Sequence, residues 1–233
     1  MKIEERLLIE YIKLAFFDEY QSEFALEHMD GCNLEKLWKL SANHSLCPLV
    51  SSVYVDKLNI DGDLKKFFVG EIYKAMCEDE KKSYEFQKLC DCFVKNKINH
   101  IPLKGLIIKK MYPHTWQRTS CDIDILVKKE DLNNVIRILT DELEYIEEKK
   151  ADHDVSLTSP SGITVEIHHK LFESYVFENK NIPDVWESAY MSEENQGTYF
   201  LSDDMFSADK ILINSLLSLL IFFLILMKDF SSS

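Results

Sequence analysis

Apolar residues recur three and four apart from the first turn of the chain onward. Ile3, Leu7, Leu8, Tyr11, Ile12 and Ala15 share one stripe of an amphipathic helix. A second helix is predicted over "NLEKLWKLSANHSLCPLV", with Asn33 as its N-cap and Pro48 as its stop. "DGD" at 61–63 reads as a turn. A long, densely charged helix then runs from Leu64 to Lys97, interrupted by Gly70. The first 97 residues therefore read as a helical region.

The pattern changes at residue 98. "INHIPL" is short and aliphatic, as a strand is, and leads into Lys104-Gly105. "LIIKKMY" suggests a short helix, "PHTWQRTS" a polar loop, and "CDIDILV" a central strand. "KEDLNNVIRILTDELEYIEE" places Leu132, Val135, Ile136, Leu139 and Leu143 at helical spacing. "HDVSLTSPSGITVEIHHKLFE" alternates on both sides of "SPSG", the mark of a β-hairpin. "IPDVWESAY" reads as helical or irregular, with a short strand near Phe200 and a last helix from about Asp204. The fold class expected is α+β, a small mixed sheet with helices between helical flanks. The expected division is a helical region 1–97, a core 98–202 and an apolar C-terminal helix 203–233.

Composition narrows this picture only a little. With 46% hydrophobic and 29% charged residues among 233, the chain is of ordinary globular type. The net charge of −13 argues against a surface that coats nucleic acid, because non-specific phosphate affinity comes from basic residues. A local basic group remains, since Lys104, Lys109, Lys110, Arg118, Lys128 and Lys129 lie close in sequence to "CDIDILV". The six cysteines show no zinc-like spacing and read as reduced thiols of a cytoplasmic protein. "MKIEERLLIEYIKLAF" has three acids in its first ten residues and is not a secretory signal. Residues 211–227, "ILINSLLSLLIFFLILM", carry no charge over seventeen positions, the lower limit for a membrane span. Asn214, Ser215 and Ser218 tilt that segment slightly toward a buried terminal helix instead of a membrane tether. The abrupt "KDFSSS" ending adds a third reading, a chain that stops short.

The chemistry concentrates in two strands. Asp122 and Asp124 alternate with Ile123 and Ile125, so both acids face the same way, about 7 Å apart along the strand. Leaving either carboxylate buried and unpaired costs several kcal/mol, on the order of what a core substitution costs. In "TVEIHH", Glu166 and His168 share one face while Val165 and Ile167 share the other. With the two strands side by side, Asp122, Asp124 and Glu166 converge on one patch and suit Mg²⁺, or Mn²⁺, as hard oxygen ligands. Paired divalent ions bridged by carboxylates are one arrangement for in-line phosphoryl displacement. His153 and His168 lie in the hairpin and are candidates for orienting Glu166 or touching a nucleotide, although a hydrogen-bonded core histidine is commoner.

"IPLKG", then Tyr112-Pro113, Arg118 ahead of "DIDILV", and "VEIHH" after a hairpin together resemble the uncharacterised nucleotidyltransferases of the polymerase-β superfamily. The resemblance covers roughly residues 34–200. It implies a polymerase-β-like core and a two-metal enzyme moving a nucleoside monophosphate from an NTP, ATP first among them. It also implies that Asp122 and Asp124 hold the triphosphate's metal and that Glu166 joins them on the second. Gly105 would let the backbone approach the nucleotide phosphates. The superfamily's usual turn is Gly-Ser or Gly-Gly, whereas Lys104-Gly105-Leu106 stands here. Lys104 would then supply charge to the phosphates, and Arg118 either grips a phosphate or salt-bridges the acids.

Two function classes follow. One is a Mg²⁺-dependent nucleotidyltransferase acting on an unidentified hydroxyl acceptor, whether protein, RNA end, sugar or small molecule. The other is a catalytically degenerate member that binds a nucleotide or a partner, tethered to a membrane through 211–227 or not.

Overall fold

The computed structural model describes residues 1–58, 60–103, 105–119, 122–170, 185–192 and 197–201. The described residues form α-helices and strands in the order expected for an α+β protein. The chain divides into two compact units, 1–84 with 105–121 and 85–104 with 122–233.

The first unit is helical. Helix α1 spans Ile3–Phe16 and buries Leu7, Leu8, Tyr11, Ile12 and Leu14. Helix α2 (Glu23–His28) follows, capped by Ser22. Asn33 caps α3 (Leu34–Asn43) as expected, its Oδ1 accepting from Lys36 N at 3.0 Å. Pro48 does not end that helix. It sits in the first turn of a separate helix, α4 (Cys47–Asp56), where its missing N–H and fixed φ cost nothing. Helix α5 (Gly62–Lys95) opens at Gly62, whose φ of +66° favours glycine, and continues without a break through Gly70; its residues through Tyr84 belong to this unit and those from Glu85 to the second. Helix α6 (Gly105–Ile108) and two 3-10 turns, Lys109–Met111 and Thr115–Gln117, complete the unit. The expected polar loop is thus partly ordered into a turn, and it buries Gln117, whose Nε2 donates to Ser52 Oγ at 2.8 Å.

The second unit is built on a five-stranded sheet of order β1-β2-β5-β4-β3. Its strands are β1 (His100–Pro102), β2 (Asp122–Val127), β3 (Ile146–Lys150), β4 (Asp154–Thr158) and β5 (Thr164–His168). Strand β2 pairs antiparallel with β1 and parallel with β5, so the sheet is mixed. The predicted hairpin is present as β4 and β5, with Asp154 opposite His168 and Thr158 opposite Thr164. One expectation fails between them and β2. Helix α7 (Leu132–Asp141) stops short of Leu143, Glu144 takes a φ of +59°, and "IEEKK" forms the edge strand β3. Helix α8 (Val185–Ser188) and the antiparallel strands β6 (Ala189–Met191) and β7 (Tyr199–Leu201) follow.

Alternation sorts the sheet into two faces. Ile123, Ile125, Val127, Val155, Leu157, Val165 and Ile167 lie on one face and have no solvent exposure. On the other face, Ile101, Leu103 and Leu126 pack with Val185, Trp186, Ala189 and Tyr199. Further along that same face the side chains become polar, and there the acids lie. Among the described residues no helix is long and apolar enough to cross a membrane. Residues 211–227 lie outside the described residues, as does the expected helix from Asp204.

Candidate metal and nucleotide site

The parallel register of β2 and β5 sets Asp124 opposite Glu166, with Asp122 opposite Thr164 and Leu126 opposite His168. On β4 the row continues, with Ser156 opposite Glu166 and Asp154 opposite His168. Strand pairing places neighbouring side chains on one face about 5 Å apart, so two acids from separate strands meet without any loop to hold them.

The side chains close the gap further. Asp124, Glu166 and His168 each offer a ligand atom, and these atoms all lie within 4.8 Å of one another. His168 Nε2 lies 2.9 Å from Asp124 Oδ1 and 3.4 Å from Glu166 Oε2. Because a carboxylate only accepts, Nε2 carries the proton in the bond to Asp124. Asp124 is 2% exposed and would be costly to bury without such a partner, whereas the Glu166 side chain is 26% exposed. Three donors about 2.1 Å from a common ion lie about 3.0 to 3.4 Å apart, so this set fits one divalent cation after small side-chain adjustments. Backbone bonding holds the strand beneath it, since Leu103 N donates to Asp124 O at 2.9 Å.

The remaining candidates divide. Asp122, half-buried at the start of β2, is not one of the three converging groups. His153 sits in the bend before β4, its ring centroid 5.9 Å from that of His168 and its Nε2 3.4 Å from Asp154 Oδ1. Gly105, the buried first residue of α6, and Arg118 belong to the other contact unit. Arg118 Nη1 donates to Thr119 O at 3.1 Å, and its buried Nε has no hydrogen-bond partner among the described residues. Lys104 lies outside the described residues.

Two of the basic residues near the acids in sequence have other engagements. Lys109 Nζ is 2.9 Å from Asp79 Oδ1, and Lys128 Nζ lies 5.6 Å from the centre of the Trp186 ring. His168, expected beside Glu166, stands against Asp124 as well. The signal is in the sequence, for His168 shares the face of Glu166 in "TVEIH", but only the parallel register brings it against Asp124.

The family described as "uncharacterised nucleotidyltransferase" matches residues 30–208, which takes in every strand of the sheet. The chain belongs to that family. A solved structure of a candidate nucleotidyltransferase from Thermotoga maritima is similar at 16% identity and a TM-score of 0.40, covering 66% of this chain and 95% of that one. None of the curated proteins matches.

Proposed function

We propose that the chain is a divalent-metal-dependent nucleotidyltransferase, moving a nucleoside monophosphate from an NTP to a hydroxyl-bearing acceptor. The observation that carries this reading is the pairing of Asp124 with Glu166 across parallel strands in a chain of this family. In the reaction the acceptor hydroxyl gives up its proton to a carboxylate of the site or to water, and its oxygen bonds to the α-phosphorus. The bond from that phosphorus to the oxygen bridging to the β-phosphate breaks, and pyrophosphate leaves with that electron pair. A bound cation would neutralise charge on the triphosphate and on the oxygens whose charge changes. Asp124 and Glu166 would hold it, with Asp122 at the outer end of β2 facing the triphosphate. Gly105, Lys104 and Arg118 are the proposed phosphate contacts, and ATP with Mg²⁺ is the first pair to test. No side chain has to act as a nucleophile, so rate would come from positioning and charge neutralisation.

One observation favours the degenerate alternative: Asp122 stands outside the converging group, which leaves two carboxylates there instead of three. Calorimetry separates the two readings. A non-hydrolysable NTP should bind the wild type only with Mg²⁺, and the Asp122→Asn/Asp124→Asn variant should lose that binding. No binding by folded wild-type protein would sink the enzyme reading. Metal-independent binding that survives both substitutions would favour the binding module.

A further inference from the structure

We infer that His168 is itself a metal ligand, and that the site consequently prefers a first-row transition-metal ion to Mg²⁺. This rests on the proposed nucleotidyltransferase reading and concerns which ion that site takes. The converging set is two carboxylate oxygens and one imidazole nitrogen, not three carboxylates. The His168 side chain is 5% exposed and Asp124 2%, so the ring is packed against the acid whose oxygen it touches. An ion entering between Asp124 and Glu166 meets Nε2, which is within 3.4 Å of both carboxylates.

Two outcomes are open to that nitrogen. It keeps its proton and directs an N–H at a cation, which repels it. Or the neutral ring carries its single proton on Nδ1, and the Nε2 lone pair joins the coordination. The second outcome rewards ions that accept nitrogen. Mg²⁺ demands oxygen ligands and sheds water reluctantly, whereas imidazole suits the transition metals. Mn²⁺ takes carboxylates readily and tolerates one nitrogen, which makes it the natural probe.

The test uses the full chain without nucleotide. Loss of the free-ion Mn²⁺ signal in electron paramagnetic resonance gives its affinity, and calorimetry gives that of Mg²⁺. Mn²⁺ should bind about tenfold or more tightly than Mg²⁺. Electron spin echo modulation from the bound Mn²⁺ should show coupling to one imidazole nitrogen. In His168→Gln, with circular dichroism unchanged, that coupling should vanish and the Mn²⁺ advantage should shrink toward parity. The wild-type echo measurement decides the ligand role even if the variant fails to fold. Metal binding without nitrogen coupling, or an unchanged Mn²⁺-to-Mg²⁺ ratio in folded His168→Gln, overturns the inference and leaves the enzyme reading standing. Folded wild type that binds neither ion overturns the inference, while the nucleotide calorimetry above decides the enzyme reading.

Discussion

His100 has no solvent exposure, and its ring is held at both nitrogens. Nδ1 lies 3.3 Å from Ile98 O, a group that can only accept, so that nitrogen carries the proton. Nε2 then accepts from the Thr198 hydroxyl at 2.9 Å, which fixes the ring as neutral. Burial lowers its pKa from 6.5 to about 4, against a smaller opposing contribution from the bond to Ile98 O. Below 6.5 the unfolded chain therefore binds a proton that the folded chain refuses. The stability this group contributes is complete above pH 6.5 and is lost as pH falls toward 4. Between pH 6.5 and 5 the loss should reach about 2 kcal/mol. Urea titrations at several pH values should show this slope in the wild type and a clearly flatter one in His100→Asn.

Glu85 poses the same problem of burial with the opposite charge. It is 3% exposed, yet it accepts from the Tyr145 hydroxyl and from Ser161 Oγ at 2.8 Å, with Lys88 Nζ 3.5 Å away. Hydrogen bonds to a buried charged group are worth more than neutral ones, and the orphaned partners add to the loss. Glu85→Ala should cost about 3 kcal/mol in chemical denaturation, and Tyr145→Phe about 1 to 2. A cost below about 0.5 kcal/mol for Glu85→Ala would mean that water replaces the carboxylate. At this scale Asp124 and Glu166 are legible in the sequence, because an acid inside a strand of β-branched and aliphatic residues has no packing reason to be there. Partnerships are not. Nothing in "LIIKKMY" tells that Lys109 is taken by Asp79, thirty residues away.

Between residues and molecule stand the elements, and the hairpin of β4 and β5 is the one on which the site depends. Ser159 N donates to Ile163 O and Gly162 N to Ser159 O, both at 2.9 Å, closing the loop between the strands. Gly162 has a φ of +81°, a conformation that strains any residue with a Cβ. A Cβ there would meet nothing within 4 Å, so the cost of Gly162→Ala is backbone strain alone. It should be about 1 kcal/mol by denaturation. Metal affinity should change less than about threefold, since the register of Glu166 and His168 is also fixed by their pairing with β2 and β4. Turn chemistry and strict alternation make this hairpin readable from its residues alone. Strand β3 is unreadable for an equally physical reason. Every residue of "IEEKK" is exposed, so no buried side imposes a period of two, and glutamate and lysine favour helices when packing does not decide. Pro48 misleads similarly, since proline both ends helices and begins them.

For the whole molecule, the resemblance seen over residues 34–200 agrees with the family match at 30–208. What neither specifies is the acceptor, and charge is the property that bears on it. The chain carries −13 overall, and lysines at several places stand beside acids: Lys39 with Glu35, Lys66 with Asp63, Lys81 with Glu78 and Lys109 with Asp79. A lysine already beside a carboxylate releases few counterions on meeting a phosphate backbone, and counterion release is what drives non-specific binding to nucleic acid. A long RNA acceptor would therefore meet repulsion outside its terminal nucleotide, whereas a sugar, a small molecule or a protein hydroxyl would not. A fluorescent single-stranded RNA of about twenty nucleotides should show no binding at about 0.15 M salt up to about 100 μM protein. Lowering salt to about 50 mM should rescue little, because few phosphate contacts exist to be strengthened. A protein with six to ten phosphate contacts would instead gain about a hundredfold or more over that range. An affinity that climbs so steeply would reveal a basic track on this acidic chain and move an RNA end to the head of the acceptors to assay.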